Sequence, residues 1–375
     1  MSEIKVVVTA GDLVTAYGRG VSSTWGGVLS SKSAINKIER FSTDSFQSSS
    51  AAVVAGLKYF GDESLAMQML IPLFEKSKGL IPPDALLVLA TTTGEIDILE
   101  QQVLGGNGNA AESKFSFLLD KIKTFLKVND EGLIISSACA SSSAAIGFAA
   151  SLINGGKRDC VVVVACDAVT EFVFSGFSSL MALDPDNAKP FDKNRTGLSL
   201  GEGAGFILLM SQARAEQEAR NILGEIAGWA SAGDAHHMTG PLRDGSGLSR
   251  AIQKALKKAD VSPDDVRCIS SHGTGTVYND AMEMKAYNRI FGNSPVPIYS
   301  IKGALGHTMG VSGLIETIIA FQVLQEKVIP PTVGLKDIDP EARGWASLEK
   351  RTLEKSAILL NNAGFGGVNA ALVLK

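Results

Sequence analysis

The chain has 375 residues, of which 45% are hydrophobic and 20% charged, with 35 Lys and Arg against 39 Asp and Glu. This composition excludes disordered, collagen-like and low-complexity chains, and the net charge of −4 disfavours nucleic acid as the main partner. The length exceeds one compact pair of layers, and 39 glycines, against roughly 26 expected at about 7% usage, are typical of a large, close-packed α/β enzyme.

The first segment of the chain is predicted to be a folded strand and not a signal peptide, because Asp12 interrupts its apolar run. No run of about 18 or more apolar residues occurs, so no membrane span is expected. The four cysteines, Cys139, Cys160, Cys166 and Cys268, show neither CxxC spacing nor a small secreted framework. We therefore expect a cytoplasmic protein with reduced thiols.

Short apolar, β-branched runs alternate with longer helical patterns along the chain. Strands are predicted at Ile4–Thr9, Ala85–Ala90, Gly132–Ser136, Cys160–Ala165, Gly205–Met210, Gly224–Ala230, Val266–Ser270, Val296–Ser300, Ala357–Leu360 and Ala370–Leu374. Helices are predicted between them, for example at Ser143–Ile153, Leu248–Ala259, Asp280–Ile290 and Gly313–Gln325. This alternation predicts an α/β fold with parallel strands covered on both faces.

The order of these elements indicates an internal duplication. Each half contains a strand, a small-residue loop and an apolar helix, LIISSACASSSAAIGFAASLI in the first and VPIYSIKGALGHTMGVSGLIETIIAFQVL in the second. A polar segment near residues 211–222 separates an N-terminal half, 1–212, from a C-terminal half, 213–375. The less regular region of about 40–130 is interpreted as a cap on the first half. Two unrelated α/β units are the alternative.

The motif S-S-A-C-A-S-S-S places Cys139 between a buried strand and a small-residue helix. A thiol at a helix N-terminus meets unpaired N–H groups and the helix dipole, which favour the thiolate. Cys139 is therefore a candidate nucleophile, with a buried structural cysteine as the alternative. Cys160, Cys166 and Cys268 fit the structural interpretation.

Two further loops follow predicted strands, at the position where active sites of open α/β sheets lie. His272 lies in S-H-G-T-G-T, while Lys302 and His307 lie in S-I-K-G-A-L-G-H. An ammonium group near imidazoles lowers their pKa and keeps them neutral, so that an imidazole Nε2–H can donate to a developing oxyanion or enolate. A Gly-rich turn, a surface lysine and a capping histidine are the alternatives.

The motif A-G-F-G-G-V-N around Phe365 predicts a tight turn whose spare N–H can form half of an oxyanion hole. It lacks the ending of a phosphate-binding loop, and neither it nor residues 201–205 opens a helix in a βαβ unit, so NAD binding is not expected. His236 and His237 have no suitably spaced third ligand, so we expect a structural role and no metal site.

Taken together, these motifs resemble the β-ketoacyl-acyl-carrier-protein synthases, the elongating condensing enzymes of the thiolase superfamily. The matching segments occur in the family's order and cover almost the whole chain: KVVVTAGDLVTAYGRGVSSTWGGVLSSKSAI, SSACASSSAAIGFAASLINGGKRDCVVVVACDAV, KPFDKNRTGLSLGEGAGFILLM, GDAHHMTGP, SHGTGTVYNDAMEMKA, SIKGALGHTMGVSGLIE and NNAGFGGVNAALVL. The resemblance implies a thiolase-like α/β fold, with two pseudo-duplicated halves in αβαβα layers and central mixed sheets.

The resemblance also implies roles for individual residues. Cys139 matches the nucleophile that takes an acyl chain from acyl carrier protein. His272 and His307 match the pair that promotes decarboxylation of the malonyl extender and stabilises its enolate. Lys302 matches the lysine that tunes these histidines, and Glu283 matches the glutamate that pairs with that lysine.

The remaining matches surround the substrate. The backbone N–H of Phe365 is expected to join that of Cys139 in an oxyanion hole, and Thr274 and Thr276 match threonines that hold the phosphopantetheine arm. The implied reaction is decarboxylative Claisen condensation with malonyl-acyl carrier protein to give a 3-oxoacyl-acyl carrier protein, by two steps through an acyl-enzyme. The resemblance implies no cofactor beyond the carrier's phosphopantetheine, acyl carrier protein as partner, and a homodimer, with a heterodimer left open.

The chain departs from the family at positions that shape the site. Ala363 stands where many elongating synthases have a gating Phe at the acyl pocket, Thr196 replaces an acidic residue, and Gly303 replaces a Ser. The region before Cys139 is also shorter than in housekeeping synthases. These departures favour a specialised pathway, resembling the synthases of aryl-polyene and flexirubin-type pigments.

Three other functions remain as alternatives within this resemblance. A thiolase needs a second catalytic cysteine, which residues 361–369 do not contain. An initiating synthase that uses acyl-CoA carries a Cys-His-Asn set, whereas the third position here is His307. A non-catalytic chain-length-factor subunit loses the nucleophile, whereas Cys139 is present.

Overall fold

The protein is described here from a computed structural model, and the description covers residues 4–105, 109–292, 294–354 and 357–375. Residues 106–108 of the predicted cap therefore lie outside the described residues.

The strands of the described chain are β1 (Val6–Thr15), β2 (Gly18–Arg19), β3 (Asn36–Lys37), β4 (Ser50–Ala52), β5 (Leu86–Ala90), β6 (Leu133–Ile135), β7 (Cys160–Asp167), β8 (Leu200–Gly201), β9 (Gly203–Ser211), β10 (Gly224–Gly233), β11 (Val266–Ser270), β12 (Ile298–Tyr299), β13 (Val328–Ile329), β14 (Arg351–Thr352), β15 (Ala357–Gly364) and β16 (Val368–Leu374). The helices are α1 (Val21–Leu29), α2 (Leu65–Lys76), α3 (Ile96–Val103), α4 (Phe115–Leu126), α5 (Ser141–Asn154), α6 (Glu171–Ser179), α7 (Gln212–Gln217), α8 (Ser246–Ala259), α9 (Val277–Phe291), α10 (Lys302–Leu305) and α11 (Ser312–Glu326).

Each predicted strand overlaps an observed strand, and the largest difference is at β1. This strand continues to Thr15, past the charged residue that the sequence suggested would interrupt it. The Asp12 carboxylate accepts a hydrogen bond from Lys76 Nζ of α2 at 2.7 Å. A charge within a largely buried strand is tolerated because it has this partner.

The main sheet runs in the order β12-β11-β15-β16-β10-β1-β9-β7-β5-β6. The first five strands belong to the second half of the chain and the last five to the first half. Within each half, the spatial order is third, second, fourth, fifth and first strand in chain order. The two halves meet through the antiparallel pair β1–β10. This repeated topology confirms the predicted two-half α/β architecture, and the predicted boundary falls at the start of α7.

Both halves are mixed sheets, which confirms what the family resemblance implied, whereas the alternation of strands and helices alone indicated parallel strands. In the first half β6, β5 and β7 are parallel, whereas β9 is antiparallel to β7 and β1. In the second half β15 and β16 are antiparallel, because residues 365–367 join them by a tight turn.

The helices α5 and α11 form the central layer, and α11 is almost completely buried. The two faces of β7 show why its run is apolar throughout: Val161 and Val163 pack towards this central layer, whereas Val162 and Val164 pack against α2 and α4 of the cap. On the second half, α8 and α9 cover the outer face. No helix in the described ranges is long and apolar enough to cross a membrane.

Candidate active site

Three loops that leave strands at one end of the two half-sheets enclose a cavity of about 500 Å³. Cys139 follows β6, His272 follows β11, and His307 follows β12 and α10. All three side chains line the cavity, as do four further predicted residues, Thr274, Thr276, Ala363 and Phe365. Lys302 and Glu283 lie behind this wall and are buried.

The loop that carries Cys139 is held in a constrained turn. Ala138 has a positive φ of 48°, which is uncommon for a residue with a side chain. The Ser141 hydroxyl donates to the Ala138 carbonyl at 2.6 Å and accepts from the Ser137 N–H at 2.8 Å. These contacts direct Cys139 into the cavity immediately before α5.

The expectation that Cys139 is a thiolate in the free protein is wrong. Burial raises the pKa of the Cys139 thiol to about 11, and this effect exceeds the lowering by Lys302 and by the backbone N–H of Phe365. The side chain is only 7% exposed, so desolvation of the charged form dominates over the helix N-terminus. Cys139 is therefore a thiol at neutral pH and has to lose its proton when it reacts.

His272 and His307 lie edge to face, with ring centroids 5.2 Å apart and an interplanar angle of 87°. Burial lowers the pKa of both imidazoles well below the usual value, and the Lys302 charge lowers it further. Both rings are therefore neutral at physiological pH. The predicted effect of Lys302 is present, but desolvation is the larger cause.

Lys302 pairs with Glu316 of α11 and not with Glu283, so the predicted Lys302–Glu283 pair is wrong. Lys302 Nζ lies 2.5 Å from Glu316 Oε1, and both side chains are at most 2% exposed. A buried charge requires a partner, and the chain supplies it from the central helix, 14 residues further on.

Glu283 instead holds the backbone of the His272 loop. Its two carboxylate oxygens accept the N–H groups of His272 at 2.8 Å and Gly273 at 2.7 Å. Tyr287, Asn279 and Asn361 also donate to this carboxylate. Glu283, eleven residues after His272 and on α9, therefore anchors the His272 loop.

The sequence interpretation missed Glu316 and Asn362. Glu316 was visible as the one carboxylate within the apolar segment G-L-I-E-T-I-I-A, where an unpaired charge is costly. Asn362 is fully buried at the end of β15 and contacts both Glu316 and His272. In the sequence, the only feature that pointed to Asn362 was the pair of adjacent asparagines that follows an apolar run.

The structure shows the surroundings of the three residues that depart from the family pattern, Thr196, Gly303 and Ala363. The Thr196 hydroxyl donates to Asp184 Oδ2 at 2.6 Å, and Thr196 lines the cavity. Position 303 has no room for a side chain, because a Cβ there would lie 1.8 Å from the Val333 carbonyl oxygen. Ala363 contributes only a small side chain to the cavity wall.

A second, mostly apolar cavity of about 440 Å³ adjoins the first. Cys139, Phe177, Leu180 and Phe365 line both cavities. The rings of Phe177 and Phe365 lie 5.9 Å apart and separate the two spaces. The thiol therefore lies where the two cavities meet.

His236 and His237 lie in the wall of the first cavity. His237 Nδ1 accepts the backbone N–H groups of Thr239 and Gly240, both at 3.1 Å. Within the described residues, no group of three or more His, Cys, Asp or Glu side chains is arranged to hold a metal ion.

Comparisons with known proteins agree with this geometry. The family model "Beta-ketoacyl synthase, N-terminal domain" matches residues 121–215, and "Beta-ketoacyl synthase, C-terminal domain" matches residues 223–336. A 3-oxoacyl-[acyl-carrier-protein] synthase 2 from Vibrio cholerae serotype O1 is 29% identical over 414 residues, covering 100% of both chains.

Two solved structures are similar over the full length. The ishigamide ketosynthase/chain length factor matches with a TM-score of 0.90 and 28% identity, covering 100% of this chain and 99% of the other. The complex AntDE:AntF, a type II polyketide synthase acyl-carrier protein with its ketosynthase bound to the hexaketide, matches with a TM-score of 0.91 and 25% identity, covering 100% of both chains.

Proposed function

The chain belongs to the β-ketoacyl synthase family, as its motifs predict, and we propose that it catalyses decarboxylative condensation of an acyl chain with malonyl-acyl carrier protein. The observation that carries this proposal is the cavity in which one thiol faces two neutral imidazoles. The product is a 3-oxoacyl-acyl carrier protein, in fatty-acid or polyketide-type chain elongation.

The first step transfers the acyl chain to Cys139. The sulfur attacks the thioester carbonyl, the thiol proton passes to the departing pantetheine sulfur, and one thioester replaces another. The backbone N–H groups of Cys139 and Phe365 donate to the oxygen that gains charge. The Phe365 N–H already faces the Cys139 sulfur, which supports this assignment. The apolar cavity behind Phe177 receives the chain.

The second step uses the histidine pair. Breaking the C–C bond between the malonyl methylene carbon and its carboxylate releases CO₂ and leaves the electron pair on an enolate. The enolate carbon then attacks the carbonyl of the Cys139 thioester. The sulfur leaves as a thiolate and takes a proton from solvent, which restores the Cys139 thiol. A neutral imidazole that carries its proton on Nε2 donates a hydrogen bond to the enolate oxygen and so stabilises it. His307 Nε2 is buried and has no partner among the described residues, so it is free for such a contact.

The carrier protein is proposed to deliver its phosphopantetheine arm past Thr274 and Thr276, whose hydroxyls lie 3.0 Å apart in the cavity wall. The exposed side chains Met181 and Tyr278 stand at the opening, and Arg243 lies 4.5 Å over the Tyr278 ring. An exposed apolar rim of this kind is typical of a protein-binding surface.

A dimer is proposed at the outer edge of the first half. The strand β6 ends the sheet, and its Leu133 is exposed. Phe172 of α6, which lines the apolar cavity, is 59% exposed. Pairing of β6 edges would cover this surface. A related subunit without the nucleophile is the alternative partner to a second copy, since one similar structure is a ketosynthase/chain length factor.

Substrate choice is proposed to favour stiff, polyunsaturated chains of a specialised pathway, because Ala363 is a small residue in the wall of the cavity that contains the thiol and both imidazoles. The test is extension of saturated and polyunsaturated acyl-carrier thioesters with malonyl-carrier, followed by intact-protein mass spectrometry. We expect 3-oxoacyl-carrier from both and faster extension of the polyunsaturated chain.

The variant Ala363→Phe is expected to reduce that preference by at least about tenfold, since a filled wall excludes a rigid chain. A clear preference for long saturated chains contradicts the specialised pathway, and absence of any 3-oxoacyl product contradicts the condensing function itself.

A further inference from the structure

The buried amide of Asn362 joins three groups that sequence motifs do not connect. Its Nδ2 lies 2.6 Å from Glu316 Oε2 and 3.3 Å from His272 Nδ1. Its Oδ1 accepts the hydroxyl of Ser143 on α5. Asn362 therefore links the Lys302–Glu316 ion pair to the imidazole of His272.

The direction of this amide is determined by its partners. Glu316 is paired with Lys302 and has only acceptor oxygens when ionised, so the amide atom 2.6 Å away has to be the donor Nδ2. Rotating the amide by 180° would place Oδ1 against the carboxylate, oxygen to oxygen. That arrangement is repulsive, whereas the Ser143 hydroxyl can either donate or accept.

With Nδ2 directed at His272 Nδ1, that ring nitrogen has to accept the hydrogen bond. A neutral imidazole that accepts at Nδ1 carries its proton on Nε2. We propose that Asn362 is a positioning residue that holds His272 as the Nε2–H tautomer. This inference rests on the proposed function for its catalytic meaning, because the Nε2–H group is the donor that the enolate requires.

Close packing keeps the amide in place. A Cβ at position 313 would lie 2.0 Å from Ser143 Oγ and 2.7 Å from Asn362 Oδ1, so only glycine fits on α11 at this point. The absence of a side chain at Gly313 thus lets α11 pack directly against the contact between Ser143 and Asn362. Ser143 belongs to the first half of the chain and Asn362 to the second, so both halves contribute to the position of the His272 proton.

His307 lacks an equivalent constraint. Its Nδ1 lies 3.2 Å from the Ser312 hydroxyl, which can donate or accept. The two histidines therefore differ: a fixed donor and acceptor pattern determines the tautomer of His272 alone.

The test is ¹⁵N NMR of the full-length protein labelled in its four histidines. The His272 resonances are assigned by their loss in His272→Gln. We expect an unprotonated Nδ1 and a protonated Nε2 in the unmodified protein. A protonated Nδ1 overturns the proposal, whether or not the protein condenses any substrate.

Variants then test the role of Asn362. Asn362→Leu keeps the volume but removes the donor, and it is expected to mix the two His272 tautomers and to slow malonyl decarboxylation by at least about tenfold, as loss of a group that orients a histidine does elsewhere. Acylation of Cys139, measured by mass spectrometry, should change by less than about threefold. Ser143→Ala keeps both Nδ2 contacts and should keep the Nε2–H signal.

Two results would overturn this role. One is Asn362→Leu with an unchanged His272 spectrum; the other is equal loss of acylation and decarboxylation in a folded variant. If the unmodified protein shows the expected tautomer but does not decarboxylate malonyl-carrier, the proposed function fails and the tautomer assignment stands.

Discussion

The two halves of the chain share one strand order but contribute chemically different groups to the site. The first half supplies Cys139, whose pKa burial raises to about 11. The second half supplies His272, His307, Lys302 and Glu316, in which a buried ion pair stands next to two neutral rings.

This difference is how a repeated scaffold would divide the proposed two-step reaction. The same strand–loop–helix unit presents a buried thiol in one half and a buried ion pair beside two imidazoles in the other. The halves are not independent, since the Lys302 charge lowers the pKa of Cys139 across the junction.

The largest expected effect comes from removing one reactive side chain from each half in turn, Cys139 from the first half and His272 from the second. Cys139→Ala should lower condensation by at least about 10³-fold, because no acyl-enzyme forms, while the protein still decarboxylates malonyl-carrier. His272→Ala should do the reverse: it should leave acylation of Cys139 and lose most of the decarboxylation. Both half-reactions are measured by mass spectrometry of the carrier and of the protein.

The matched control is Cys160→Ala, which removes a buried cysteine from β7, away from the cavity. It should retain both half-reactions. If Cys139→Ala still extends chains, or if each variant loses both half-reactions equally while folded, the division between the halves is refuted.

The next effect concerns the ion pair. Lys302→Met leaves Glu316 buried without its charge partner, so it should lower the free energy of unfolding by about 3–5 kcal/mol, measured by urea titration. The double variant Lys302→Met with Glu316→Leu should recover much of that loss, because neither charge remains buried. A single variant within about 0.5 kcal/mol of the unmodified protein is incompatible with this role.

The smallest effect is the pH dependence of Cys139 alkylation by iodoacetamide. Because the pKa is raised to about 11, the thiolate fraction at pH 8 is about 10⁻³, and the rate should rise about tenfold per pH unit from pH 7 to 10. In Lys302→Met the profile should move to higher pH, since the cation that lowers the pKa is removed. A rate that is already constant above pH 7 would show a thiolate and contradict the burial argument.

Much of the architecture was predictable from local patterns. Apolar β-branched runs placed every strand of the two half-sheets, and motif order identified Cys139, His272 and His307 as residues of one site. The family resemblance implied mixed sheets, but the local patterns did not identify β9 as an antiparallel strand, because alternating strands and helices do not specify strand direction.

The amino-acid sequence by itself determined which elements form and which side chains are able to react, because periodicity, turn residues and reactive groups are local properties. Only the tertiary structure decided the state and partners of those groups. Burial made Cys139 a thiol, Lys302 paired with Glu316 of the central helix and not with Glu283, and Asn362 turned its amide towards His272. Desolvation and hydrogen-bond direction depend on which distant segments pack together, and no spacing along the chain specifies that.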